Sequence, residues 1–180
     1  MDEEKQMDFR QTIRVKSTPA QVFKAVTLDY RYWWTKASGQ VYYLRDDVTF
    51  RFDDTYWTFV VVKLEQNQVV EMLCTDAHHV HEGLDSSIDR EWLGTKLRWD
   101  IDACSDDEHC EVTLTHIGLN DELDCYHVCQ AGWNYYLTES LKSYLSSGAG
   151  NPYNSCSTHK SFSHDIQTSR DTFRPGLAPS

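Results

Sequence analysis

The chain has 180 residues, 40% of them apolar and 13% aromatic, and 17 Lys+Arg stand against 28 Asp+Glu for a net charge of -11. That length suits one domain with a core of its own. From Gly148 onward lie only three basic residues (Lys160, Arg170, Arg174) and two acidic ones (Asp165, Asp171), so the preceding body holds 14 basic and 26 acidic residues, a net of -12. A field of that sign repels phosphate backbones and anionic headgroups, which argues against nucleic-acid binding and membrane attachment.

No apolar run reaches membrane-spanning length, and the amino-terminal MDEEKQMDF is acidic where an export signal is basic. The expected location is the cytoplasm, with the six cysteines as reduced thiols. Cys104 and Cys110 flank the turn SDDEH and are the pair that a hairpin disulfide would join.

In chain order, residues 1–8 read as a flexible start. Phe9, Gln11, Ile13 and Val15 then alternate with polar residues, the period of a half-buried strand. Ser17 or Thr18 can cap a helix with Pro19 in its first turn and Val22, Phe23 and Val26 on its apolar face. DYRYWWTKASG reads as a second short helical or turn segment ending near Gly39.

Strands follow. VTFRF places Val48, Phe50 and Phe52 on one side, and YWTFVVVKLEQNQVVEMLCTD reads as two long strands meeting at Asn67. Asp76 to Trp92 has weak periodicity and reads as a loop. TKLRWDIDAC alternates cleanly, with Leu97, Trp99, Ile101 and Ala103 inward. CEVTLTHIGL returns with Val112, Leu114 and His116 on one face.

Asp121 stands where a long helix would be capped. Tyr126, Cys129, Trp133, Leu137, Leu141 and Tyr144 recur at spacings of three and four, so one stripe faces the sheet. Glycine at SSGAG supplies the left-handed stop. Residues 151–180 are rich in Ser, Thr and Asn and read as a flexible polar tail. Strands grouped together, rather than interleaved with helices, indicate an α+β domain over 9–150 with an antiparallel sheet.

TPAQVFKAVT, YWTFVVVKLE, EWLGTKLRWDI, VTLTHIGL and CYHVCQAGWNYYLTESLKSYLSSGAGNP, in that order, resemble the SRPBCC or START-like helix-grip superfamily. Within it the chain looks most like the small proteins named after the activator of the heat-shock chaperone ATPase. The resemblance spans about Phe9 to Pro152. It implies a curved antiparallel sheet gripping a carboxy-terminal helix, with a hydrophobic cavity between them. It does not imply one chemistry, since the superfamily includes lipid and hormone carriers, polyketide cyclases and dehydratases, and detoxification proteins. Full chaperone activators carry an additional amino-terminal domain, which the residues before Phe9 are too few to supply.

Several residues could carry chemistry. Cys125 and Cys129 share a helix face, but without a second Cys or His pair at convincing spacing they read as small buried residues beside Trp133. His78, His79 and His81 read as incidental histidines of a solvated loop, so no metal or other cofactor is expected. His116 should point toward the helix, either as a satisfied core histidine or as an acid/base. Asp76, in phase with Met72 and Cys74, would be its partner.

Trp99 and Trp133 are the leading wall residues of a cavity, followed by Phe50, Phe59 and Met72, with Tyr126, Cys129 and Leu137 from the helix. His116, Tyr126 or Asn134 would orient a guest. The expected function is binding of a small hydrophobic or aromatic molecule between sheet and last helix. The alternatives are a metal-independent cyclase, dehydratase or isomerase using His116 with Asp76, and a chaperone cofactor acting through an acidic surface.

Overall fold

The computed structural model describes residues 6–155. Seven strands form one antiparallel sheet: β1 (Phe9–Val15), β2 (Lys36–Ser38), β3 (Asp47–Phe52), β4 (Thr55–Glu65), β5 (Val69–His78), β6 (Lys96–Ala103) and β7 (Cys110–Ile117), in the spatial order β1-β7-β6-β5-β4-β3-β2. Two short helices, α1 (Pro19–Ala25) and α2 (Tyr30–Trp33), follow β1. The carboxy-terminal helix runs as α3 (Tyr126–Tyr135), a π-helical turn (Tyr136–Leu141) and α4 (Lys142–Ser147). This is the α+β arrangement with an antiparallel sheet expected from the strand grouping, in the helix-grip form that the resemblance implies.

Local chemistry accounts for most of the elements. Thr18 closes a capping box on α1, its hydroxyl accepting from the Gln21 amide while the Gln21 side chain accepts from the Thr18 amide, and Pro19 sits in the first turn. The helix ends at Gly148, whose φ of 82° is left-handed backbone that glycine adopts freely. Along β6 and β7, Leu97, Trp99, Ile101, Val112, Leu114 and His116 are buried on the helix side, in the registers Leu97↔His116 and Trp99↔Leu114.

Three sequence expectations are corrected by the structure. The segment after Trp33 contains β2, a short edge strand paired with β3, where a helical or turn segment was expected. The long helix starts at Tyr126, and Asp121 does not cap it. Instead the Glu91 carboxylate, from the loop before β6, accepts the Asp124 and Cys125 amides at 2.8 and 2.9 Å. Cys104 and Cys110 are both free, in keeping with the reading of the cysteines as reduced thiols: Cys110 lies opposite Ala103, turns inward, and its thiol donates to the Ser17 carbonyl at 3.1 Å.

The third correction is the phase of β5. Thr58 pairs with Asp76 and Phe59 with Cys74, so Thr75 has no opposite number and forms a β-bulge. One extra residue inverts the alternation. Val70, Met72 and Cys74 face the core before the bulge; Ala77 and His79 face it afterwards, and Asp76 is turned outward.

The expected flexible ends lie mostly outside the described residues. Their inner edges are docked. Asp8 accepts the Gly118 amide at 2.8 Å, and the Tyr153 amide donates to the Trp34 carbonyl at 2.7 Å. Ser140, turned inward by the π-helical segment, donates to the Trp33 carbonyl and accepts the Asn151 amide. Gly150 makes this return possible, because a Cβ there would stand 2.4 Å from the Tyr32 carbonyl oxygen.

Candidate functional site

The space between sheet and last helix is an aromatic layer in which the rings meet. Trp34 lies 4.7 Å from Trp133 between centroids, Trp133 lies 6.1 Å from Trp92 with planes 12° apart, and Trp92 stacks on Trp57 at 4.0 Å. Trp99 meets Trp133 edge-on at 6.2 Å. Phe50, Phe59, Met72 and Leu137 close the layer and are fully buried. The elements fix these rings unequally: Trp57 stands on β4, Trp99 on β6 and Trp133 on α3, whereas Trp92 comes from the irregular connection between β5 and β6.

Residual exposure marks the accessible side. Trp57, His79, Cys129 and Tyr136 retain 5–7% exposure, while Phe50, Phe59, Met72 and Trp99 retain none. The rim therefore lies where the ends of β4 and β5 meet α3. An open hollow elsewhere, lined by Ala37, Gly39, Gln40, Tyr42 and Asp46, surrounds a turn in which the Asp46 carboxylate accepts the Tyr42 and Tyr43 amides.

His116 lies inward, as its phase requires, and is fully buried. The Trp133 indole N–H donates to its Nδ1 at 3.1 Å, so the ring's proton resides on Nε2. That Nε2–H faces the Thr95 hydroxyl at 2.9 Å, and the hydroxyl in turn donates to the Trp92 carbonyl at 2.6 Å. Both ring nitrogens are engaged, and burial pushes the His116 pKa down to about 3. This is a neutral structural histidine tying Trp133 to the Trp92 loop. Asp76 does not partner it: the bulge at Thr75 sends that carboxylate to the outer face, where it accepts the Ala77 amide at 2.9 Å and lies 3.7 Å from Arg90.

Of the residues named from sequence as walls or as orienting groups, Tyr126 and Asn134 stand apart from the buried layer. Tyr126 is half-buried, and its hydroxyl accepts from the Gln130 side chain at 3.2 Å. Asn134 is exposed and takes no part in the layer.

Three further groups were not legible in the sequence. The indole N–H groups of Trp57, Trp92 and Trp99 are buried without a hydrogen-bond partner, whereas Trp33 donates to the Ala25 carbonyl at 2.8 Å. A fourth buried nitrogen without a partner is Nδ1 of His79, whose pKa burial pushes down to about 4. His79 also lies beside Cys125 and Cys129, its ring nitrogen and the two Sγ atoms all within 4.8 Å of one another. The hydrogen bond to Cys129, burial and the nearby Glu91 carboxylate raise the Cys125 pKa far above the ordinary thiol range.

Residues 16–146 match the family model described as Activator of Hsp90 ATPase homolog 1-like protein. The chain belongs to this family. No match is found among curated proteins. Among solved structures, the Aha1 dimer from Colwellia psychrerythraea is 24% identical with a TM-score of 0.63, over 80% of this chain and 99% of that one. DynU16, a protein of the dynemicin biosynthetic locus, is 18% identical with a TM-score of 0.61; the match covers 80% of this chain and 49% of DynU16. The protein SSP2350 from Staphylococcus saprophyticus is 16% identical with a TM-score of 0.57, over 82% of this chain and 98% of that one.

At these identities the structural likeness establishes the fold. The Activator of Hsp90 ATPase homolog 1-like family places the chain on the SRPBCC architecture. Among the described residues no helix is long and apolar enough to cross a membrane.

Proposed function

We propose that this protein binds a small, flat, largely apolar molecule bearing a hydrogen-bond acceptor, between the sheet and the last helix, in a reducing cytoplasm. The observation that carries this reading is the set of buried indole donors without partners at Trp57, Trp92 and Trp99. Each such donor costs about 1–3 kcal/mol while it is unmet, and an acceptor-bearing guest recovers that cost. The apolar walls add the burial term, about 25 cal/mol for each Å² of hydrocarbon removed from water.

In this reading Trp92 is the ring that a guest displaces. It is sandwiched between Trp57 and Trp133 and is carried by a loop, so it is the ring able to leave. A flat guest entering at the Trp57–Cys129 rim replaces one stacked face by another and costs little stacking energy.

Xanthone and xanthene test this directly, since both are flat tricycles and only xanthone has a carbonyl. Tryptophan quenching should show saturable binding of both, with xanthone tighter by about tenfold, the equivalent of one net hydrogen bond. Trp92→Ala, which removes the ring to be displaced, should tighten both. Absence of saturable quenching by either compound, in wild type and variant alike, refutes the reading.

One observation favours a second reading, contact with a chaperone. Tyr42, Tyr43 and Leu44 are exposed at 53%, 74% and 58% on the connection between β2 and β3. Stimulation of a chaperone ATPase by the protein, lost on Tyr43→Ser, would support it; unchanged ATPase activity would dismiss it.

A further inference from the structure

The cluster at the rim has a chemistry separate from the aromatic layer. Two segments far apart in sequence converge there: the residue just past β5 is His79, and the start of the long helix brings Cys125 and Cys129. Their donor atoms lie within 4.8 Å of one another, and all three residues are buried. Spacing four apart on a helix puts both sulfurs on one face. The bulge at Thr75 is what points His79 at them, since unbroken alternation along β5 would have turned it to the outer face.

Each ligand type fits a soft or borderline cation. Two thiolates and a neutral imidazole favour zinc over magnesium or calcium, which want oxygen. In a tetrahedral zinc site with Zn–S near 2.3 Å, two sulfurs stand about 3.8 Å apart. The observed cluster therefore needs only a contraction within rotamer freedom. Charge also balances, because two thiolates cancel a divalent cation and leave no net charge in the core.

The second observation is independent of the cysteines. His79 is 95% buried by its 5% exposure, and its Nδ1 has no hydrogen-bond partner. A buried ring nitrogen with nothing to bond is costly, and a coordinated ion is one of the few occupants that would explain it. Cys125 is further held in place from behind, since its amide donates to the Glu91 carboxylate at 2.9 Å. Such an outer contact fixes the helix start on which the ligand sits.

We propose that His79, Cys125 and Cys129 form a zinc site with three protein ligands and a fourth position at the rim. Three ligands with an open position is the arrangement of zinc sites that bind water or an exchangeable group rather than purely structural ones. The open position would face the side of the aromatic layer at which Trp57, Tyr136 and Cys129 retain exposure.

The test uses the full chain under reducing conditions. Chelator-treated protein is loaded with zinc, desalted and analysed for metal, and a parallel sample is loaded with cobalt(II) for its absorption spectrum. The expected result is one zinc per chain, and for cobalt the visible bands of a tetrahedral site with thiolate charge transfer. Cys129→Ser and His79→Gln should each weaken zinc binding by at least about 10–100-fold, the range that even outer-shell changes produce. Cys104→Ser with Cys156→Ser should bind zinc as the parent does.

Metal content below a tenth of an equivalent overturns the site, as does a cobalt spectrum without thiolate charge transfer. Equal binding by parent and Cys129→Ser also overturns it, by pointing to ligands elsewhere. Should either ligand variant fail to fold, the parent's cobalt spectrum still decides. Xanthone binding measured in chelator-treated protein separates the two proposals: loss of metal binding with retained xanthone binding removes only the zinc site.

Discussion

Replacing His116 by Gln perturbs the centre of the core network in a way whose pH dependence can be worked out. The imidazole is neutral in the folded protein, with its pKa pushed down to about 3 by burial. In the unfolded chain it takes its ordinary value near 6.5. The folded pKa is depressed, so the unfolded state binds the extra proton. The contribution of a neutral His116 is therefore complete above about pH 6.5 and is lost as pH falls toward about 3, at up to about 1.4 kcal/mol per pH unit. Glutamine can accept from Trp133 and donate to Thr95, but it does not titrate.

At pH 7 the variant should be less stable by about 1–3 kcal/mol, through poorer geometry around a buried donor and acceptor. At about pH 4.5 that deficit should shrink by about 2–3 kcal/mol, two pH units below the unfolded pKa. Urea unfolding followed by tryptophan fluorescence at a series of pH values measures both numbers. His79 and the carboxylates titrate in both proteins and cancel in the difference. Parallel stability–pH curves for parent and variant would refute the assignment of His116 as a buried neutral ring.

Three other outcomes are expected. Glu91→Ala should cost about 1–3 kcal/mol by uncapping α3, and amide exchange at Asp124 and Cys125 should accelerate while that of α4 does not. Ser140→Ala removes the hydroxyl that joins Trp33 to Asn151 and should make the chain around Tyr153 sensitive to limited proteolysis, with the sheet core still protected. Gly150→Ala should release the same segment, since its Cβ would meet the Tyr32 carbonyl at 2.4 Å, and it should lower Tm by several degrees.

Much of the architecture was readable because burial imposes a period. The alternation of Leu97, Trp99 and Ile101, the helical recurrence of Cys129, Trp133, Leu137 and Leu141, and the glycine stop at Gly148 each follow from local geometry. What escaped is whatever depends on a residue remote in sequence. The bulge at Thr75 is set by pairing with β4, and a single inserted residue exchanged Asp76 for His79 on the inner face. The cap of α3 comes from Glu91, more than thirty positions away. The joining of His79 to Cys125 and Cys129 needs both of these placements, which no spacing rule contains. His116 was placed correctly, but its lack of a free nitrogen depends on Thr95 and Trp133 together.

The most direct test of ligand binding in the aromatic layer is the indole region of a proton–nitrogen correlation spectrum during titration with xanthone. The N–H signal of Trp57, at the rim, should move downfield to saturation as it gains an acceptor and that of Trp92 should shift as its ring is displaced, while that of Trp33, already bonded to the Ala25 carbonyl, stays in place. Indole signals that remain fixed up to the solubility limit of xanthone would contradict it.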